Sequence, residues 1–188
     1  LRVILASSSP RRRELLSKIG IEFEVRHPQV KERIFGDPVA TARRLSLLKA
    51  LDVWRKEKEA LVIGADTLVF FDGKVLGKPR NEEEAVLMLK TLSGKWHKVV
   101  TAVSFVAKGF RKTVHDTARV KFRCLTEEEI RFYVSTGEPL DKAGAYGVQG
   151  FGSVIVERIE GNFFTVMGLP LFKVYEVLRD IGLLKPQR

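Results

Sequence analysis

Three arginines stand together in Ala6-Ser7-Ser8-Ser9-Pro10-Arg11-Arg12-Arg13-Glu14-Leu15-Leu16, where a strand gives way to a helix. Val3–Ala6 reads as a short buried strand, and Pro10 opens a helix because its missing N–H has no partner to lose there. A helix start carries partial positive charge, so each cation placed there costs roughly 0.3–1 kcal/mol. A bound anion removes that cost. Free backbone N–H groups, the hydroxyls of Ser7 and Ser9, and the guanidinium forks of Arg11 and Arg12 together make a phosphate-binding corner.

Other segments carry complementary groups. Asp66, in Gly64-Ala65-Asp66-Thr67, is expected where a buried strand meets a hairpin, a position suited to a metal ligand or a water-orienting base. Lys78, in Leu76-Gly77-Lys78-Pro79, leaves a strand just before a proline and suits a phosphate oxygen. It is not part of a Walker A loop, because the spacing is one short and Pro79 replaces the Ser/Thr that would hold magnesium. Asp141–Gly152 has glycine at 144, 147, 150 and 152 but does not open a helix after a strand, so the dinucleotide fingerprint fails. Gln149 within it offers a donor and an acceptor side by side, matching the N3–H and carbonyl of uracil or thymine. His27, His97 and His115 show no metal-ligand spacing and are expected to be structural or exposed. Cys124 has no histidine nearby in sequence, and no Ser-His-Asp order stands out, so covalent catalysis is unsupported. Trp96 and Phe163-Phe164 read as packing residues rather than base-stacking ones.

The elements needed to position these groups alternate between strand and helix. Leu15, Leu16 and Ile19 give the first helix one apolar face, and Gly20 stops it. Phe23–His27 is a strand. Asp37-Pro38 caps a helix to about Lys56, with Val39, Ala42, Leu45, Leu48, Leu51 and Trp54 on its inner side. Leu61–Ala65 is a strand ending at Asp66; Thr67–Phe71 and Lys74–Leu76 form a hairpin around Asp72-Gly73. Asn81, with Glu84 in the capping-box position, starts a helix that ends before Gly94. Trp96–Ala107 and Phe110–Arg123 are long paired strands. Thr126 and Glu129 form another capping box, on a helix closed by Gly137. Val154–Ile159 is a strand, and a last helix runs from Pro170 to Gly182. The fold class is α/β with a mixed sheet, a single domain over residues 1–188 with two lobes and an active-site cleft between them.

At 188 residues and 45% hydrophobic content the chain has enough apolar material for a sizeable core. It contains no run of 18 apolar residues, so no membrane span is expected. Leu1-Arg2-Val3 leads straight into a strand without a signal-peptide pattern, and Cys124 is the lone cysteine; both fit a cytoplasmic protein. The formal net charge is +10, which favours a nucleotide, a nucleic acid or another acidic partner. Residues 1–60 hold 14 Lys/Arg and 8 Asp/Glu, a net of +6, so the excess gathers near the arginine turn. The bland alternative is compositional: the chain is 30% charged and poor in Asn, Gln, Cys and Met, as heat-adapted proteins are. A basic nucleic-acid-binding protein without catalysis is the competing functional class. Against it, the basic residues lie in tight turns beside acidic ones without interleaved aromatics.

Taken together, Ala6–Arg12 with Glu14-Leu15-Leu16, Gly64–Thr67, Leu76–Pro79, Leu92-Ser93-Gly94 with His97 and Thr101, Asp141–Gly150 and Gly168-Leu169-Pro170 resemble the Maf family of nucleoside triphosphate pyrophosphatases. The likeness covers nearly the whole chain. It implies a long mixed sheet flanked by helices, as in inosine triphosphate pyrophosphatases. It also implies hydrolysis of a nucleoside triphosphate to monophosphate and pyrophosphate with a divalent metal ion, Mg²⁺ or Mn²⁺. Asp66 matches the family's proton acceptor, and Arg12, Thr67 and Gln149 match its specificity positions. Glu32, Lys49 and Lys78 align with acidic and basic pocket positions, with Glu32 and Asp66 as metal ligands. The Asp-Lys-Ala-Gly-Ala-Tyr-Gly form looks like the branch acting on dTTP and UTP, with modified pyrimidine nucleotides as further candidates. A homodimer, house-cleaning of nucleotide pools and a link to septum formation and cell-division arrest are implied by the resemblance alone; no stable nucleic-acid or membrane partner is. Two positions depart from the family pattern: Thr165 stands where Asn is common, and Lys31 replaces an acidic residue beside Glu32.

Overall fold

A computed structural model of the chain describes residues 1–184. Seven strands form one mixed sheet: β1 (Val3–Ala6), β2 (Glu24–Arg26), β3 (Leu61–Phe71), β4 (Lys74–Leu76), β5 (Trp96–Ala107), β6 (Phe110–Phe122) and β7 (Val156–Glu160). Their order is β2-β1-β3-β5-β6-β7, with β4 paired to β3. β1 runs parallel to both β2 and β3, while β3–β4 and β6–β7 are antiparallel. The helices are α1 (Pro10–Ser17), α2 (Pro38–Trp54), α3 (Glu82–Leu92), α4 (Glu127–Ser135), α5 (Phe163–Met167) and α6 (Leu171–Asp180). The α/β class with a mixed sheet flanked by helices is as expected.

The chain divides into two compact units. Of the described residues, the first holds 1–66, 101–116 and 168–184. Its core joins Ile4 and Ala6 of β1, Ala50 and Val53 of α2, Val62 of β3 and Val106 of β5. The second holds residues 67–100 and 117–167. There α3 buries Val86, Leu89 and Leu92, and α4 buries Ile130, Tyr133 and Val134.

Local signals placed the helix starts well. Ser9, Asp37, Asn81 and Thr126 each accept a backbone N–H at the expected N-terminus. The Thr126–Glu129 box closes in both directions. At Asn81 only half the box forms, because the Glu84 carboxylate is taken by Arg80 Nε at 2.7 Å.

Four expectations are corrected. Asp66 is not at a strand end: β3 continues through it to Phe71, backed by β1 at one end and β4 at the other. Strand β7 starts at Val156, since Val154 closes a 3-10 turn. Helix α5 was not foreseen; Asn162 caps it by accepting from the N–H groups of Phe164 and Thr165.

The largest correction concerns α2, whose buried stripe is Thr41, Ala42, Leu45, Ser46, Lys49, Ala50 and Val53. Leu48, expected inside, is 38% exposed. A series repeating every third residue slips about 60° per step around a helix of 3.6 residues per turn. Ala42 and Leu45 of the expected series are buried, and Leu51 and Trp54 pack partly buried against the core, so the slip carries Leu48 out to solvent.

Candidate active site

The chemistry gathers in the first unit, around one carboxylate. Asp66 sits mid-strand on β3 and is only 4% exposed. Lys49 reaches it from the buried stripe of α2, with Nζ 2.8 Å from Asp66 Oδ1 and 2.9 Å from Glu32 Oε1. One ammonium thus bridges two carboxylates. Glu32 lies on the segment between β2 and α2 and keeps this orientation beside Lys31, whose own side chain is exposed. Asp66 Oδ2 is buried without a hydrogen-bond partner. Such an atom is costly unless a ligand, an ion or a water meets it.

Arg12 completes the cluster. Its Nε donates to the Gly168 carbonyl at 2.8 Å, which fixes the plane of the guanidinium. Sequence reasoning found Gly168-Leu169-Pro170 as a motif but not this purpose; a carbonyl acceptor leaves no trace in residue type. Burial pulls the Arg12 guanidinium below its ordinary value, opposed by the charges of Asp66 and Glu32, while Arg11 lowers it further. It stays charged, as arginine does in proteins. Burial is also the main influence on Asp66, lifting its carboxyl above the ordinary range; Lys49 and Arg12 pull it back and Glu32 pushes it up.

The turn after β1 is tied down by its own serines. Ser9 N–H donates to Ser7 Oγ at 3.0 Å, and Arg12 N–H to Ser9 Oγ at 3.3 Å. The sequence suggested free N–H groups here; these two are already used. Each serine hydroxyl still brings its own O–H as a donor. Arg11 is half-buried on the same first turn of α1. The turn also borders an open groove of about 1050 Å³, lined by Ser7–Pro10, Arg13 and Glu14 among others, in which Glu32 and Asp66 take no part.

Lys49 approaches Asp66 because α2 lies unusually close to β3 at Gly64. A Cβ built there would stand 2.5 Å from the Ser46 carbonyl oxygen and 2.7 Å from Ala50 N. Only glycine admits this approach.

Thr67, Lys78 and Gln149 belong to the second unit. Thr67 follows Asp66 directly on β3, Lys78 is exposed in the turn after β4, and Gln149 is exposed in the glycine-rich loop. The Gly144 N–H donates to the Gly77 carbonyl at 3.1 Å, which joins the loop of Gln149 to the turn of Lys78. At the loop's far end, a Cβ on Gly152 would meet the Gly147 oxygen at 1.6 Å, so glycine is obligatory there. Tyr133 Oη accepts from Gly147 N–H at 3.1 Å and braces the same bend. The histidines stay apart: His27 is exposed, His97 bonds Tyr146 Oη at 2.6 Å, and His115 bonds Arg43 at 2.9 Å. Trp96 packs under Arg119, and Phe163 lies edge-on to Phe164.

A family model described as Maf-like protein matches residues 2–181. The chain belongs to the Maf family. Its similar relatives include the dTTP/UTP pyrophosphatase of Aquifex aeolicus, 59% identical over 98% of this chain and 97% of that protein. The protein of the same name from Thermotoga maritima is 54% identical, over 97% of this chain and 90% of the relative. That of Bacillus pumilus is 45% identical over 96% and 97% respectively. The Maf-family motifs of this chain are thus divided: the arginine turn, Gly64–Asp66 and Gly168–Pro170 fall in the first unit, and Leu76–Pro79 and Asp141–Gly150 in the second.

Two carboxylates, one with a free buried oxygen, suit a hard divalent ion, whose preferred donors are oxygens. Among the described residues no group of three His, Cys, Asp or Glu is placed to hold a metal. The donor set therefore fits an ion that takes its remaining oxygens from phosphates and water, as Mg²⁺ commonly does.

Proposed function

We propose that this chain hydrolyses dTTP and UTP to the monophosphate and pyrophosphate. Two things support the reading: its relatives bear that name, and Asp66 presents a buried, partnerless oxygen between two cations and a second carboxylate.

In this reading Ser7, Ser9, Arg11 and Arg12 hold the polyphosphate, and Lys78 neutralises a further phosphate oxygen. Asp66 orients a water for in-line attack on the α-phosphorus and takes its proton at Oδ2. Lys49 offsets charge building on the departing pyrophosphate. Glu32 and Asp66 would hold the Mg²⁺ or Mn²⁺ ion, which supplies further charge stabilisation when bound. Gln149 reads the pyrimidine edge, with Thr67 and Arg12 as the other specificity positions. A cytoplasmic setting and a homodimer belong to the same reading.

The surface charge gives no support to a nucleic-acid binder. Several of the basic side chains are locally paired: Arg2 with Glu24 and Glu57, Arg119 with Glu160, Arg123 with Glu129 and Arg131 with Glu127. Such pairs break up the continuous cationic track a polynucleotide needs.

A panel of ordinary and modified nucleoside triphosphates with magnesium, scored for pyrophosphate and orthophosphate, tests the proposal. Pyrophosphate release with preference for dTTP and UTP is expected. Orthophosphate as the first product would make the protein a simple phosphatase, and a purine preference would remove Gln149 from base reading.

A further inference from the structure

We infer that Lys49 is a built-in counter-cation that keeps a free divalent ion out of the site until a triphosphate draws its ammonium away. The inference rests on the reading of Glu32 and Asp66 as the metal-holding carboxylates.

Lys49 is not a loosely placed side chain. It emerges from the buried stripe of α2, its side chain is only 11% exposed, and the helix carrying it is seated on β3 at Gly64. Its Nζ lies 2.9 Å from Glu32 Oε1 and 2.8 Å from Asp66 Oδ1. A small divalent ion binds oxygen at about 2.1 Å. An ion bonded to both of those oxygens would therefore be set against the ammonium. Before substrate arrives, the two carboxylates already have their cation, and no third acidic or imidazole ligand among the described residues offsets the exchange.

A triphosphate changes the balance. It carries its own ion and presents phosphate oxygens that compete for an ammonium on a flexible four-carbon stem. Lys49 then turns to the phosphate, which frees Glu32 Oε1 and Asp66 Oδ1 to hold the ion and leaves Asp66 Oδ2 to the attacking water. Metal and nucleotide binding are coupled, and by linkage the coupling is equal in both directions. The arrangement makes metal occupancy conditional on substrate.

Binding of Mn²⁺ to the full chain, followed by the electron paramagnetic resonance signal of the free ion at fixed pH and salt, tests this without turnover. Wild type and Lys49→Met are titrated alone and with an α,β-imido pyrimidine triphosphate, corrected for Mn²⁺ held by the analogue itself. Lys49→Met keeps the stem and removes the charge. It is expected to bind Mn²⁺ at least tenfold more tightly than wild type when no nucleotide is present. Wild type is expected to gain at least tenfold on adding the analogue, and the variant much less. Equal affinity of the two proteins for Mn²⁺ alone, with binding abolished by Asp66→Asn, would keep the metal site and overturn the role of Lys49. Absence of any Asp66-dependent Mn²⁺ binding, even with the analogue, would instead overturn the carboxylate–metal reading. Should Lys49→Met fail to fold, the wild-type comparison with and without analogue still decides: no gain in affinity sinks the inference.

Discussion

At the scale of single residues, Asp66 carries the account. Its burial, its paired Oδ1 and its partnerless Oδ2 give one carboxylate two distinct faces. Asp66→Asn keeps the shape and removes the proton-accepting capacity. Turnover is expected to fall by at least a hundredfold, on the order of the 3–4 kcal/mol lost with a well-aligned charged contact in a transition state. Binding of a non-hydrolysable triphosphate, measured without added metal so that the coupling of the two ligands does not enter, is expected to survive. Pyrophosphate release and equilibrium binding measured on the same preparation check both halves, and near-normal turnover would take Asp66 out of the proton-acceptor role. The residue type and its neighbours Gly64 and Thr67 were legible in the sequence. Its mid-strand position was not, because the apolar run Leu61–Ala65 is short enough to stand as a strand by itself.

At the scale of elements, the seat of α2 on β3 matters most. The backbone oxygen of Ser46 and the amide of Ala50 lie where a Gly64 side chain would be. Gly64→Ala forces the helix outward, since a backbone atom cannot swing aside as a long side chain can. A stability loss of about 1–3 kcal/mol is expected, the usual cost of overpacking. Turnover should also fall, because Lys49 precedes Ala50 on the displaced surface. Urea denaturation and steady-state kinetics on the variant measure the two effects; a variant with normal turnover would show that the helix seat does not govern the site. Capping residues made the helix starts readable, since Ser, Asp, Asn and Thr act on N–H groups two or three residues away. The short α5 was missed because its cap, Asn162, is followed by only one apolar turn.

At the scale of the whole molecule, His97 links stability to pH. It is 2% exposed, lies edge-on to Phe122 and Tyr146, and has a buried Nδ1 without a partner. Burial lowers its pKa from 6.5 to about 4. The unfolded chain takes up a proton as pH falls through 6.5, while the folded chain resists until about 4. The contribution of neutral His97 is complete above pH 6.5 and is lost progressively down to pH 4, a loss of about 3 kcal/mol. Chemical denaturation of wild type and His97→Phe at pH 7 and pH 4.5 reads this directly. The wild type should lose more stability than the variant, and a constant difference between them would assign the titration elsewhere.

What the sequence determined by itself was local: where helices begin, where glycine stops them, the alternation of strand and helix, and the motifs that mark a Maf protein. Each of these acts over a few residues, so neighbours along the chain suffice to read it. The partnership of Lys49 with Asp66 and Glu32 was decided only in three dimensions. The periodic pattern counts Leu48 as inside and is silent on Lys49, which only the family resemblance put at a pocket position. The face a helix buries is set instead by what it docks against. Here Gly64 leaves room for backbone at Ser46 and Ala50, and that close fit turns the neighbouring lysine inward, onto the buried carboxylate of Asp66.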